Sequence, residues 1–214
     1  MDEEITIIDS NTRKEKIKNF FINYKKKIII FISVILILLI GYFSFEEIKN
    51  RNKIKLANQF NSTIEDFKTG NKEKIISNLT KIINEQDTTY SPLALYFLID
   101  NNLIDEQDEI NNLFNILIDK TNLEKEIKNL IIYKKALFNS NFVDENKLMK
   151  LLSPILNSES IWKSHGLYLI AEYFYSKNEK QKAKEFFNKI LMLTNSNNDI
   201  KLKSQKRISR DYSE

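Results

Sequence analysis

The chain has 214 residues, with 33 basic and 29 acidic side chains, for a formal net charge of +4. It contains no cysteine and one histidine, which excludes disulfides, thiol nucleophiles, thiolate metal sites and multi-histidine metal sites. The near balance of charge leaves no basic face of the kind that nucleic acid requires.

Residues 1–27 read as a short basic segment ending in Lys25-Lys26-Lys27. Ile28–Phe45 then runs for 18 positions without a charge. A helix needs about 17–25 largely apolar residues to cross the hydrocarbon core of a bilayer. Only helices and closed barrels satisfy their own backbone hydrogen bonds there. The run therefore predicts one retained membrane-spanning helix. A cleaved leader has a shorter apolar part followed by small residues; here Gly41-Tyr42-Phe43-Ser44-Phe45 follows a longer run that starts far from Met1. A buried core helix would show a polar edge.

Orientation follows the basic residues flanking the run. Before it stand Arg13, Lys14, Lys16, Lys18, Lys25, Lys26 and Lys27; after it stand Lys49, Arg51, Lys53 and Lys55. The excess on the first side predicts a cytoplasmic N-terminus in an inner (plasma) membrane, with everything after Phe45 on the far side, the periplasm in a diderm bacterium.

Residues 46–195 carry helical period throughout and no bounded alternating strand. Ala57, Phe60, Ile64 and Phe67 form one apolar stripe that Gly70-Asn71 closes. Ile75, Ile76, Leu79, Ile82 and Ile83 form the next. Ser91-Pro92 predicts a capped start for a helix apolar on all sides from Leu93 to Ile99, and so sandwiched between neighbours. Ile110–Ile118 follows. Thr121-x-x-Glu124 has the spacing of a capping box ahead of Leu123–Phe138. Leu148–Leu156, Ile161–Lys177 and Lys180–Leu193 complete about eight helices on short loops. Short loops make neighbours antiparallel, and a row of helical hairpins without a central motif predicts an all-α, α-solenoid domain. Residues 196–214 read as a polar, fraying tail.

The final hairpin has the pattern of a tetratricopeptide repeat, a pair of helices of about 34 residues. Ala171 takes the small position of its first helix, with Phe174 three residues on; Ala183 takes the small position of the second, followed by Phe187 and Ile190. An earlier copy is weaker. Ile64, Phe67, Ile76, Thr80 and Ile83 hold its aromatic and apolar places, but Ile stands at both small places.

The layout resembles the bacterial single-span, tetratricopeptide-like ancillary subunits of the SecYEG translocon. Lys25–Phe45, the segment SPLALYFLIDN from Ser91, and GLYLIAEYFYSKNEKQKAKEFFNKIL from Gly166 carry the resemblance. It implies a periplasmic repeat domain that contacts translocon subunits, periplasmic chaperones or emerging clients. The departures are the missing small residues at Ile64 and Ile76 and the scarcity of glycine in turns.

Chemistry is not legible. His165, beside Trp162, reads as a packing or surface histidine. Three separated glycines make no phosphate loop. Asp105-Glu106 and Asp108-Glu109 suit a helix start, where the dipole favours acids. No catalytic residue, cofactor or metal site is expected. The expected function is a non-enzymatic, membrane-anchored scaffold for proteins. The alternatives are an envelope-assembly or cell-division scaffold of the same build, or a membrane-anchored hydrolase. The candidate protein-binding residues are Trp162, Tyr168, Tyr173 and Tyr175, aromatics being favoured anchors. Lys201, Lys203, Lys206, Arg207 and Arg210 could meet anionic lipid or an acidic partner, though a solvated tail accounts for them equally.

Overall fold

The structure, a computed structural model, describes residues 2–68 and 70–212, with side chains from Lys14 onward. Among these residues it is all helix: α1 (Asp2–Asp66), α2 (Lys72–Asn84), α3 (Tyr90–Asp100), α4 (Gln107–Asn115), α5 (Lys125–Asn139), α6 (Glu145–Leu156), α7 (Lys163–Ser176), α8 (Lys180–Met192) and α9 (Asn198–Asp211). A π-helical turn, Ile116–Lys120, follows α4. The chain divides into two compact units, Met1–Lys55 and Leu56–Glu214.

The first unit is helical, and α1 contains a stretch long and apolar enough to cross a membrane. No protein covers that stretch: Ile30, Phe31, Ile37 and Leu38 are each more than 60% exposed. Arg51 and Glu47 pair at 2.7 Å one turn apart near the unit's end.

The second unit starts at Leu56 rather than at residue 46. Residues 46–55 are exposed, and Leu56 is the first side chain that buries. Two apolar clusters fill this unit. One gathers Leu56 and Phe60 with α2, α3 and α4 around Leu79, Ile83, Leu95 and Phe114. The other gathers α6, α7 and α8 around Leu152, Ala171, Phe174 and Phe187. Helix α5 joins them, since Ile131 enters the first and Ile132 the second. From α2 onward packing runs from each helix to the next, with α2 also on the π turn, α5 on α7 and α7 on α9.

Local chemistry explains the boundaries and corrects several expectations. Asp87, not Ser91, caps α3, accepting from the amides of Thr89 (2.8 Å) and Tyr90 (2.7 Å). Ser91 is buried and donates to the Ile82 carbonyl at 2.8 Å, tying α3 to α2. Helix α3 is not enclosed all round: Ala94, Leu95 and Leu98 are buried, while Leu93 faces out. The Thr121–Glu124 capping box does not form. Thr121 donates instead to Ile116 O at 3.2 Å, closing the π turn, and α5 begins with no side-chain cap. Pro154 lies inside α6 and removes the amide that would meet Lys150 O; the Ser153 hydroxyl donates to that carbonyl at 2.9 Å.

Asparagine does the work expected of glycine in two turns. Asn102 (φ 48°) and Asn178 (φ 62°) adopt the left-handed conformation after α3 and α7. Behind them Leu103 N donates to Leu98 O (2.9 Å) and Glu179 N to Phe174 O (2.9 Å), the six-to-one bond that ends helices at such residues. Finally, residues 198–211, expected to fray, form α9. Asn197 caps it by accepting from Asp199 N and Ile200 N, and Ile200 and Ser204 are buried. Their four-residue spacing is enough to dock a mostly polar helix by one narrow stripe.

Candidate protein-binding surface

Helix α7 carries most of the aromatic side chains in question, and it does not present them on one face. Trp162 stands just before α7 and lies over Tyr133 of α5, ring centroids 5.9 Å apart at 20°. His165 packs on Trp162 at 5.0 Å. Burial, and secondarily the Lys203 charge, hold the His165 imidazole below its usual range, so it is neutral near pH 7. Glu126 anchors this corner, accepting from Ser160 Oγ (2.7 Å) and Ile161 N (3.3 Å).

Tyr173 points another way. Its hydroxyl donates to Val143 O at 3.1 Å, fastening α7 to the α5–α6 loop. Tyr168 and Tyr175, seven residues apart, share a stripe with Glu172. Arg207 of α9 meets that stripe. It donates to Glu172 Oε2 at 2.6 Å and Oε1 at 2.8 Å, and its guanidinium sits 4.4 Å from the Tyr175 ring centroid. Arg207 also reaches Asp211 Oδ2 at 3.3 Å, and Arg210 holds the same carboxylate at 2.6 and 2.8 Å. The two guanidinium groups, Arg210 first, keep the Asp211 carboxyl at about 2. The hydrogen bonds to Glu172 raise the Arg207 pKa further. Burial, and then Glu172, raise that of Tyr168.

The structure thus brings Tyr168 and Tyr175 together through Arg207 and keeps Trp162 and Tyr173 apart from them. Tyr168 also rests edge-on against Phe187 at 5.6 Å. It lines an open groove of about 930 Å³ whose other walls all come from α9, Leu202, Lys203, Lys206, Arg207 and Arg210 among them. Sequence reasoning passed over Glu172. The signal that could have found it was the Ile200, Ser204, Ile208 spacing behind Asn197, which marks residues 198–211 as a helix with a docked face.

No family model, curated protein or solved structure matches this chain. Among the described residues no group of acidic and histidine side chains is placed to hold a metal ion.

Proposed function

We propose that this protein is a membrane-anchored, non-enzymatic scaffold whose helical domain binds other proteins, with the domain of tetratricopeptide-like build on the far side of the inner membrane, beside the Sec translocon. The observation that carries this proposal is the α7–α8 hairpin. Ala171 and Ala183 are completely buried at the two small places, and Phe174, Phe187 and Ile190 are buried at the large ones. The succession of helix packing, with α5 on α7 and α7 on α9, supports a solenoid rather than a closed bundle.

The mechanism is tethering. Ile28–Phe45 holds the domain at the membrane, and confinement raises the local concentration of whatever the domain holds. The translocon as neighbour rests on the resemblance of Lys25–Phe45, Ser91–Asn101 and Gly166–Leu191 alone.

The test is in-cell crosslinking from a photoreactive amino acid at Tyr168, followed by mass spectrometry of the adducts. Translocon subunits, periplasmic chaperones or secreted clients are the expected partners. Adducts confined to cytoplasmic proteins overturn the orientation, and envelope-assembly or division proteins in their place overturn the translocon assignment.

A further inference from the structure

Helix α9 divides its charges between two faces. On the inner face Arg207 and Asp211 are spent on each other, on Glu172 and on Tyr175. On the outer face Leu202, Lys203, Lys206 and Arg210 follow one another at helical spacing, and all four are exposed. Arg210 shares Asp211, whereas Lys203 and Lys206 have no carboxylate of the described residues within ion-pair distance. Helix α9 itself carries two acids, Asp199 at its start and Asp211, which Arg207 and Arg210 hold. The groove beside Tyr168 opens onto this face.

We infer that the outer face of α9, with the groove at Tyr168, docks an acidic segment of a partner protein. This inference rests on the scaffold function proposed above and names the chemistry of its partner. A segment with carboxylates one helical turn apart would meet Lys203, Lys206 and Arg210 in register, and an apolar side chain beside them would fill the groove against Leu202 and Tyr168. A protein segment fits better than an anionic bilayer. Leu202 is the one large apolar side chain on the stripe, too few for a face that inserts among lipids, and a flat surface leaves the groove unfilled.

The experiment uses the full chain in zwitterionic detergent micelles and a fluorescein-labelled peptide with glutamate at every fourth residue and leucine beside each. A glutamine version of the peptide serves as control, and binding is read by anisotropy. The expected result is preference for the glutamate peptide, weakened about tenfold or more by the double reversal K203E/K206E and sharply by added salt. The reversal K72E/K74E on the exposed start of α2 should leave binding unchanged, and circular dichroism checks that each variant is folded. Equal binding of both peptides, or binding indifferent to K203E/K206E, overturns the inference. So does binding to phosphatidylglycerol vesicles that K203E/K206E abolishes while the peptide does not bind; the face then belongs to lipid. Self-association of the wild type lost in K203E/K206E, without peptide binding, assigns the face to a second copy and also overturns it. Protein adducts from Tyr168 in the crosslinking experiment, obtained despite a failed peptide test, would leave the scaffold proposal standing and this inference alone refuted.

Discussion

The two apolar clusters of the helical domain solve the same packing problem with different residues. The first is mostly branched aliphatics, among them Leu79, Ile82, Ile83, Leu95, Leu98 and Leu117, with Phe60 and Phe114, and its one buried alanine is Ala94. The second combines Ala136, Ala171 and Ala183 with Phe174 and Phe187, and is rimmed by Tyr133, Trp162, Tyr168, Tyr175 and Phe186. Interiors pack to crystal density, so space left by an alanine must be taken by a larger neighbour. Both clusters bury two phenylalanines, but the second has three buried alanines to the first's one, and each alanine needs a matched larger partner. Residue identity is therefore more informative in the second cluster, and the small places of the repeat pattern are kept in the final hairpin but not in the earlier copy.

Removing a large side chain from either cluster should have the largest effect. Phe174→Ala should cost about 3–5 kcal/mol and Leu79→Ala about 2.7–5 kcal/mol, from lost transfer energy and the cavity left behind. Trp162 is the only tryptophan and lies against the second cluster, so its fluorescence reports that cluster while circular dichroism reports all helices. Because Ile118 packs against both clusters and α5 feeds both, denaturant transitions by the two probes should coincide in wild type and in both variants. A Leu79→Ala protein that loses ellipticity before Trp162 fluorescence changes would show that the clusters unfold separately.

A swap at matched positions sharpens the contrast. Ala183 corresponds to Ile76 in the weaker copy. Ala183 is fully buried, so Ala183→Ile should overpack the hairpin and cost about 1–3 kcal/mol. Ile76 is only half-buried, and Ile76→Ala should cost about 1 kcal/mol, less than a fully buried site would lose. Both are read as shifts in the midpoint of urea unfolding. Equal and small effects would mean that alanine at 183 sets no close packing and that the hairpin owes nothing to it.

What the sequence disclosed follows the same division. Apolar spacing located the helices from Ala57 to Leu193, because each buries a stripe with a simple period. The capping assignments failed where a side chain had a tertiary partner: Ser91 bonds to Ile82 O across helices and Thr121 closes a π turn, and neither partner is visible from local spacing. Helix α9 was missed because Ile200 and Ser204 make a stripe too narrow to stand out among lysines. Of the candidate residues, the aromatic identities pointed to α7, but their directions depend on neighbours. Val143 O draws Tyr173 one way and Arg207 draws Tyr175 another.

At the joint between the clusters, polar packing replaces apolar packing. Asn139 of α5 is buried and donates to Asn111 Oδ1 and Lys135 O, each at 2.8 Å. It accepts from Gln107 Nε2 at 2.9 Å and Asn111 Nδ2 at 3.0 Å. Every hydrogen-bonding group of its amide is used, and α4 is locked to α5 in one register. Asn139→Leu should cost about 1–3 kcal/mol, the penalty for leaving buried donors and acceptors without partners. The expected signature is a lower thermal midpoint with faster amide exchange in α4. A neutral result would mean that water replaces the amide at no net cost.

The two ends of the domain also close differently, and the difference has a pH signature. At the first end Leu56 and Phe60 cover the aliphatic cluster by apolar contact. At the last end Arg207 of α9 pairs with Glu172 of α7, and Asp211, also of α9, braces Arg207 and holds Arg210. Asp211 has a native pKa of about 2, below its unfolded value, because Arg210 and then Arg207 favour its ionised form. A depressed carboxyl stabilises the native state above its unfolded pKa, and that contribution is lost as pH falls through the native value. The bracing of Arg207 by Asp211 should therefore hold at pH 5 and weaken from about pH 4 towards pH 2. Carbon NMR of the Asp211 carboxyl should titrate near 2 in wild type, and Arg210→Gln should move it towards the ordinary value near 4. The stability effect is the smallest of the series because exposed pairs are screened by water and salt. A wild-type midpoint already near 4 would mean that the guanidinium clasp around Asp211 is not closed in solution, and that α9 is held by Ile200, its neighbours and the Arg207–Glu172 pair.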